Sequence, residues 1–266
     1  KGIVKLMDTL YVIKIGGNIV DNPILLTECL HAFASIKGQA ILVHGGGKLA
    51  TSLANDMGVQ QTMIEGRRVT DEETLKIVTM VYAGAINKNI IAQLQSIGVN
   101  AIGLTGADGN LIQAHKRNHA SIDYGFVGDI DAVNTDLVLQ LLSTNTKLVV
   151  APITHDGKGQ LLNTNADTIA QSLATALASK YKVHLMYGFE KEGVLLDLNN
   201  PSTLFAKIDS QQYNQLKEDK IIFEGMLPKM ENAFEAIRGG VQSVMIGKAE
   251  KMMDVINGKA GTTINL

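Results

Sequence analysis

The chain has 266 residues, 45% of them hydrophobic and 19% charged, which is enough to bury a sizeable core and excludes disorder. A formal net charge of −2 gives no field to attract nucleic acid or an anionic membrane. The single cysteine, Cys29, excludes a disulfide framework and a four-cysteine zinc site and fits a reducing cytoplasm.

Residues 11–15, Tyr-Val-Ile-Lys-Ile, read as a buried strand stopped by Gly16-Gly17. Asn22-Pro23 has the form of an N-cap followed by proline at the first helical position. Leu26, Leu30 and Phe33 continue at helical spacing, and Gly38 ends that helix. Residues 40–43 form a second strand, broken by His44-Gly45-Gly46-Gly47. The next helix places Leu49, Leu53 and Met57 on one face, with Gly58 after it. Thr70-Asp71-Glu72-Glu73 predicts a capping box with Thr70 as the cap. It opens a long helix over 71–97, with Leu75, Val78, Tyr82, Ile86, Ile90 and Leu94 three or four apart.

A strand over 99–104, a hairpin within 111–131, a helix over 134–143 and a strand over 147–153 follow. Asp156-Gly157 is a turn before Leu161-Leu162. A helix runs from Asn163 to about Ser179, then a strand over 182–186, and the alternation continues. Strands alternating with helices of this length imply an α/β fold with a mainly parallel sheet covered on both faces. A division into residues 1–180 and 181–266 falls after the longest run of small helix residues. No apolar run approaches the ~18 residues of a membrane span.

Glycine clusters at Gly16-Gly17, at Gly45-Gly46-Gly47 and in the series Gly103, Gly106, Gly109 follow apolar strands or precede helices. In a parallel sheet, ligands bind at the carboxyl ends of strands, where glycine lets backbone amides reach an anion. The Walker, dinucleotide and protein-kinase signatures are absent. The six histidines show no ligand spacing, which argues against a protein-held metal. Lys14 lies inside the first strand, two residues before a glycine pair. It is either an edge lysine reaching outward or a cation aimed at a bound phosphate.

Lys14-Ile15-Gly16-Gly17, His44-Gly45-Gly46-Gly47, Gly66-Arg67-Arg68-Val69-Thr70, residues 163–167 (Asn-Thr-Asn-Ala-Asp) and Gly225-Met226-Leu227-Pro228-Lys229 stand in this order. Together they resemble the signature of the amino-acid kinase family, and the similarity runs from Tyr11 to the end. The resemblance implies a three-layer α/β/α sandwich and ATP-dependent phosphorylation of the side-chain carboxylate of an N-acyl-L-glutamate, on the way to arginine or ornithine. It implies that residues 1–180 bind the acyl-amino acid and dimerise, and that 181–266 bind ATP. Lys14 and Lys229 would flank the transferring phosphoryl group, and Asp167 would hold both. The bare alternative for Asp167 is a carboxylate placed only to favour a helix start. Arg68, Gly46, Gly47 and Asn163 would hold the substrate. Gly16, Gly17, Tyr187, Gly188, Phe189, Gly193, Val194, Leu195, Ile222 and Phe223 would serve the nucleotide. Mg2+ would bind mainly through the nucleotide phosphates, without a dedicated protein site.

Two departures from the family pattern stand out. An apolar residue usually precedes the substrate arginine, and here it is Arg67. Arg67 either turns to solvent or faces an acyl group that ends in a carboxylate, which would make the substrate N-succinyl-L-glutamate rather than N-acetyl-L-glutamate. Residues 186–195 lack the usual aspartate, so Tyr187 and Phe189 either touch adenine or belong to the core. The first strand starts too early for the extra N-terminal helix of hexameric relatives, which implies a homodimer, with 71–97 at the interface. The competing readings are a uridylate, carbamate, aspartate or glutamate 5-kinase, or an inactive ligand sensor of the same fold.

Overall fold

The first apolar run is a strand, β1 (Thr9–Ile15), in the computed structural model, which describes residues 7–64, 67–197, 200–219, 221 and 226–265. A short helix, α1 (Gly17–Val20), and α2 (Pro23–Ala34) lead to β2 (Gln39–His44). Asn22 caps α2, its side chain accepting from the amides of Ile24 and Leu25. After the glycine triplet comes α3 (Gly47–Asp56), then a small hairpin of β3 (Met63–Ile64) and β4 (Arg67–Arg68).

The expected long helix is three segments: α4 (Glu72–Thr79), a π-helical turn over Met80–Ile86, and α5 (Asn87–Ser96). All six stripe residues, Leu75 to Leu94, are buried. From Val78 onward they recur every four residues, which on a 3.6-residue helix drifts by about 40° per step. The wider π turn absorbs that drift and keeps the stripe on the core. The cap is Asp71, whose side chain accepts from the amide of Thr74, and not Thr70. Thr70 is instead held outside the helix, bridged to Gly125.

The chain continues with β5 (Ala101–Leu104), the antiparallel pair β6 (Ile112–Lys116) and β7 (Gly128–Val133), and α6 (Thr135–Ser143). The strand expected over 147–153 divides into β8 (Lys147–Val150) and β9 (Ile153–His155), which belong to different sheets. Pro152, which has no N–H to give a ladder, lies at the break. Next come β10 (Leu161–Asn163), α7 (Ala166–Leu177), β11 (Lys182–Phe189), β12 (Lys207–Ile208), α8 (Ser210–Glu218), α9 (Met226–Arg238), β13 (Ser243–Lys248), α10 (Met252–Ile256) and β14 (Thr262–Ile264).

Eight strands form one sheet in the order β12-β14-β13-β11-β1-β2-β8-β5, and only β13 and β14 pair antiparallel. Helices cover both faces, so the architecture is the expected three-layer α/β/α sandwich. Side chains alternate along a strand. Leu10 and Val12 of β1, Ile41 and Val43 of β2, and Val183, Leu185 and Tyr187 of β11 therefore share one core with α6, α7 and α9. Ile13, Ile15, Leu42 and Met186 face the other core with α2, α4 and α5. One helix face differs from the expected one: α3 buries Ala50 and Ala54 and leaves Leu49 and Met57 exposed. Alanine there lets its backbone approach the neighbouring helices closely.

Candidate active site

The parity of β1 sends Lys14 to the same face as Leu10 and Val12, toward α7 and α9. There it is only 9% exposed, and its Nζ lies 2.7 Å from Oδ1 of Asp167. Asp167 stands in the first turn of α7, which Asn165 caps by accepting from the amides of Asp167 and Thr168. The other oxygen, Oδ2, accepts from Nζ of Lys229, also at 2.7 Å, from the first turn of α9. One carboxylate thus joins two ammonium groups that are 215 positions apart in sequence (229 − 14). Burial alone would raise the Asp167 pKa, but the two ammoniums override it and hold it down at about 2. Burial, together with the Lys229 charge, lowers the pKa of Lys14 against the pull of Asp167.

Beside this triad the first two glycine clusters meet. A Cβ on Gly17 would lie 3.6 Å from the Gly47 nitrogen and 3.7 Å from that of Gly46, and one on Gly45 would lie 3.3 Å from the Gly17 nitrogen. The Gly16 amide donates to the carbonyl of Gly188 at 3.3 Å, which ties the end of β11 to the same corner. A Cβ on Gly46 would collide with Ile86, and its neighbour there is the Tyr82 ring. Asparagine or aspartate side chains cap α2, α4, α6, α7 and α8, whereas the first turn of α3 has no side-chain cap. Its free amides and the helix dipole suit an anion.

Arg68 is half-buried and fixed before any substrate arrives. It donates to the Gly47 carbonyl at 2.9 Å and to Thr51 Oγ1 at 2.8 Å, and it also contacts Gln61 Oε1. The Asn163 side chain donates to Thr70 Oγ1 at 3.0 Å. Thr51 and Gln61 carry no spacing signal in the sequence, and Thr70, expected as a helix cap, is instead the partner of Asn163. Arg67 is exposed and forms no ion pair among the described residues. As the strand neighbour of Arg68 it leaves the opposite face of β4.

The nucleotide expectations divide. Gly16, Gly17, Gly188 and the half-buried Phe189 stand at the carboxyl ends of β1 and β11. Tyr187 does not face open space: it is 1% exposed, its hydroxyl has no hydrogen-bond partner among the described residues, and its ring lies 5.8 Å from Lys229 Nζ. Gly193, Val194 and Leu195 are also buried. The Val194 amide donates to Thr262 Oγ1, and Leu195 bridges to Leu204, so those two side chains serve the core and not a ligand surface. Ile222 and Phe223, and the motif glycines Gly66 and Gly225, lie outside the described residues. Glu190 is exposed and touches Asn18 across the first glycine turn.

Comparison with known proteins agrees with this geometry. The amino acid kinase family profile matches residues 9–248. The chain is 52% identical to the acetylglutamate kinase of Cytophaga hutchinsonii over 94% of this chain and 96% of that protein. It is 51% identical to the acetylglutamate kinase of Parabacteroides distasonis (92% and 96%) and 37% identical to that of Methanopyrus kandleri (91% and 96%). Among solved structures, N-acetylglutamate synthase from Neisseria gonorrhoeae superposes with a TM-score of 0.83 at 22% identity, over 98% of this chain and 60% of that one. Carbamate kinase from Giardia lamblia superposes with a TM-score of 0.69 at 16% identity, over 97% and 98%. At these identities the two structures speak for the fold alone.

Proposed function

This chain belongs to the amino acid kinase family, and from that premise we propose that it transfers the γ-phosphoryl group of ATP to the side-chain carboxylate of N-acetyl-L-glutamate. The product is an acyl phosphate, on a route to arginine or ornithine. The observation that carries the reading is the pairing of Lys14 and Lys229 on Asp167 beside two glycine turns in contact.

The chemistry asks little of a base. A glutamate side chain has a reference pKa of about 4.3 and is already ionised at neutral pH. One carboxylate oxygen forms a bond to the γ-phosphorus, the bond from that phosphorus to the bridging oxygen breaks, and ADP leaves. The obstacle is that one anion approaches another. Lys14, from the first half, and Lys229, from the second, lower that repulsion as charge spreads over the phosphoryl oxygens. Asp167 keeps both ammoniums charged and aimed. Arg68 presents its planar fork to the α-carboxylate, and Gly46, Gly47 and Asn163 bind the acyl-amino acid. Gly16 and Gly17 line the phosphate path.

Magnesium, carried in on the nucleotide, would supply neutralisation of phosphate charge beside Lys14 and Lys229. Among the described residues no group of three or more His, Cys, Asp or Glu side chains could hold a metal, and both oxygens of Asp167 already face lysines. That donor set suits an ion carried in on the nucleotide. A division of labour between residues 1–180 and 181–266, a homodimer and a cytoplasmic site of action belong to the same proposal. Among the described residues no helix is long and apolar enough to cross a membrane.

Trapping with hydroxylamine tests the reading. Purified protein with MgATP and N-acetyl-L-glutamate gives the hydroxamate of an acyl phosphate, whereas uridylate, aspartate or free glutamate does not. Hydroxamate from none of the amino acids, with turnover of uridylate instead, would overturn it. An N-succinyl substrate requires Arg67 to turn inward, so a higher kcat/KM for N-acetyl- than for N-succinyl-L-glutamate is expected. Light scattering at the mass of a hexamer would contradict the dimer.

A further inference from the structure

Asn87 opens α5 at the end of the π turn, and nothing in the chemistry above uses it. It is 1% exposed, and His44 beside it is fully buried. Its Oδ1 accepts from Lys88 Nζ at 3.1 Å. Its Nδ2 donates to the Val149 carbonyl at 3.1 Å and faces Nε2 of His44 at 3.3 Å. These partners leave the amide one orientation, because an ammonium only donates and a carbonyl only accepts. Nε2 of His44 is therefore the nitrogen with the lone pair. The ring proton sits on Nδ1, which donates to the Gly45 carbonyl at 2.8 Å.

The same residue is also held through its preceding peptide. The Gly45 amide donates to the Ile15 carbonyl at 2.9 Å. Lys88 Nζ also donates to the Gly103 carbonyl at 2.9 Å, and a Cβ on Gly103 would collide with the Asn87 amide. A bare backbone on β5 is what lets the asparagine seat against β2 and β8. Burial keeps the His44 ring neutral, with its pKa down at about 4, so the ring has one N–H to give. The π turn delivers all of this: it packs Tyr82 and Ile86 against Gly46 and places Asn87 one residue later.

We propose that Asn87, acting through the fixed tautomer of His44, is a positioning residue that sets the Gly45 peptide and thereby aims the Gly46 and Gly47 amides at the acceptor. That the acceptor is an acyl-glutamate rests on the function proposed above; the tautomer does not.

The first test needs no variant. Nitrogen-15 NMR of the His44 ring in the free protein shows a proton on Nδ1 and none on Nε2 at neutral pH; a proton on Nε2 overturns the inference whatever the acceptor is. Asn87→Leu removes both the donor and the acceptor. It is expected to give a mixture of ring tautomers and to raise the KM for N-acetyl-L-glutamate by about tenfold, with the KM for ATP within about twofold of the parent. Asn87→Ser, which keeps a small donor, lies between the two. An unchanged acceptor KM, or equal rises in both KM values, overturns the proposal. Should Asn87→Leu fail to fold, the Ser variant and the ring tautomer of the parent decide it. Failure of the parent to turn over any acyl-glutamate sinks the proposed function and leaves the tautomer result standing.

Discussion

Tyr187 shows how much a single side chain's surroundings matter. Strand parity puts it on the same face as Lys14, under α7 and α9, where its hydroxyl is buried without a partner among the described residues and burial pushes its pKa well up. An unsatisfied buried hydroxyl costs about 1–3 kcal/mol, while the ring face still attracts the Lys229 ammonium. Tyr187→Phe is therefore expected to raise stability by about 1 kcal/mol in urea unfolding and to leave kcat near that of the parent. A loss of stability would show that the hydroxyl has a partner in solution. The sequence alone could assign Tyr187 its face but not its neighbours, because those come from α9, which starts 39 residues after it (226 − 187), and α7, which starts 21 residues before it (187 − 166). Lys14, Asp167 and Lys229 were legible because each stands in a motif. Asn87 was not, since one helical asparagine carries no period; the only hint was a poor helix former at the join of a long apolar stripe.

At the scale of elements, α7 gives the clearest case. Asn165 caps it and accepts from the backbone amide of Asp167 itself, so the cap and the carboxylate that binds both lysines share one turn. Asn165→Ala is expected to cost about 1 kcal/mol of stability and to lower kcat, because the first turn of α7 frays. Asn22→Ala, which uncaps α2 on the opposite face of the sheet from α7, serves as the control: a similar stability loss with kcat retained. Equal effects on kcat would detach the cap from the chemistry. Element order was readable from the alternation of short apolar runs and helical periods. The π turn was not, because a four-residue spacing reads as an ordinary helix until its accumulated drift is counted. Nor was the split of 147–155 between two sheets, since long-range pairing leaves no local mark beyond Pro152.

Across the whole molecule, acid stability follows from two buried groups whose shifted titrations fall in the acid range. His44 has its pKa lowered from 6.5 to about 4 by burial. The unfolded chain therefore takes up that proton first, and stability present above pH 6.5 is lost as pH falls toward 4. A shift of this size corresponds to something on the order of 3 kcal/mol. Asp167, lowered from 3.8 to about 2 by its two lysines against the effect of burial, adds a second loss below pH 3.8. Urea unfolding as a function of pH should show both limbs, and His44→Asn should flatten the upper one alone; an upper limb that survives this change would refute the assignment. The carboxylate shared by two lysines has a further consequence. The resting enzyme carries its own placeholder for the phosphoryl group, so its cleft presents one excess positive charge and not two. Common buffer anions then have little to gain by lodging there, and turnover should tolerate sulfate and chloride better than a bare lysine pair would.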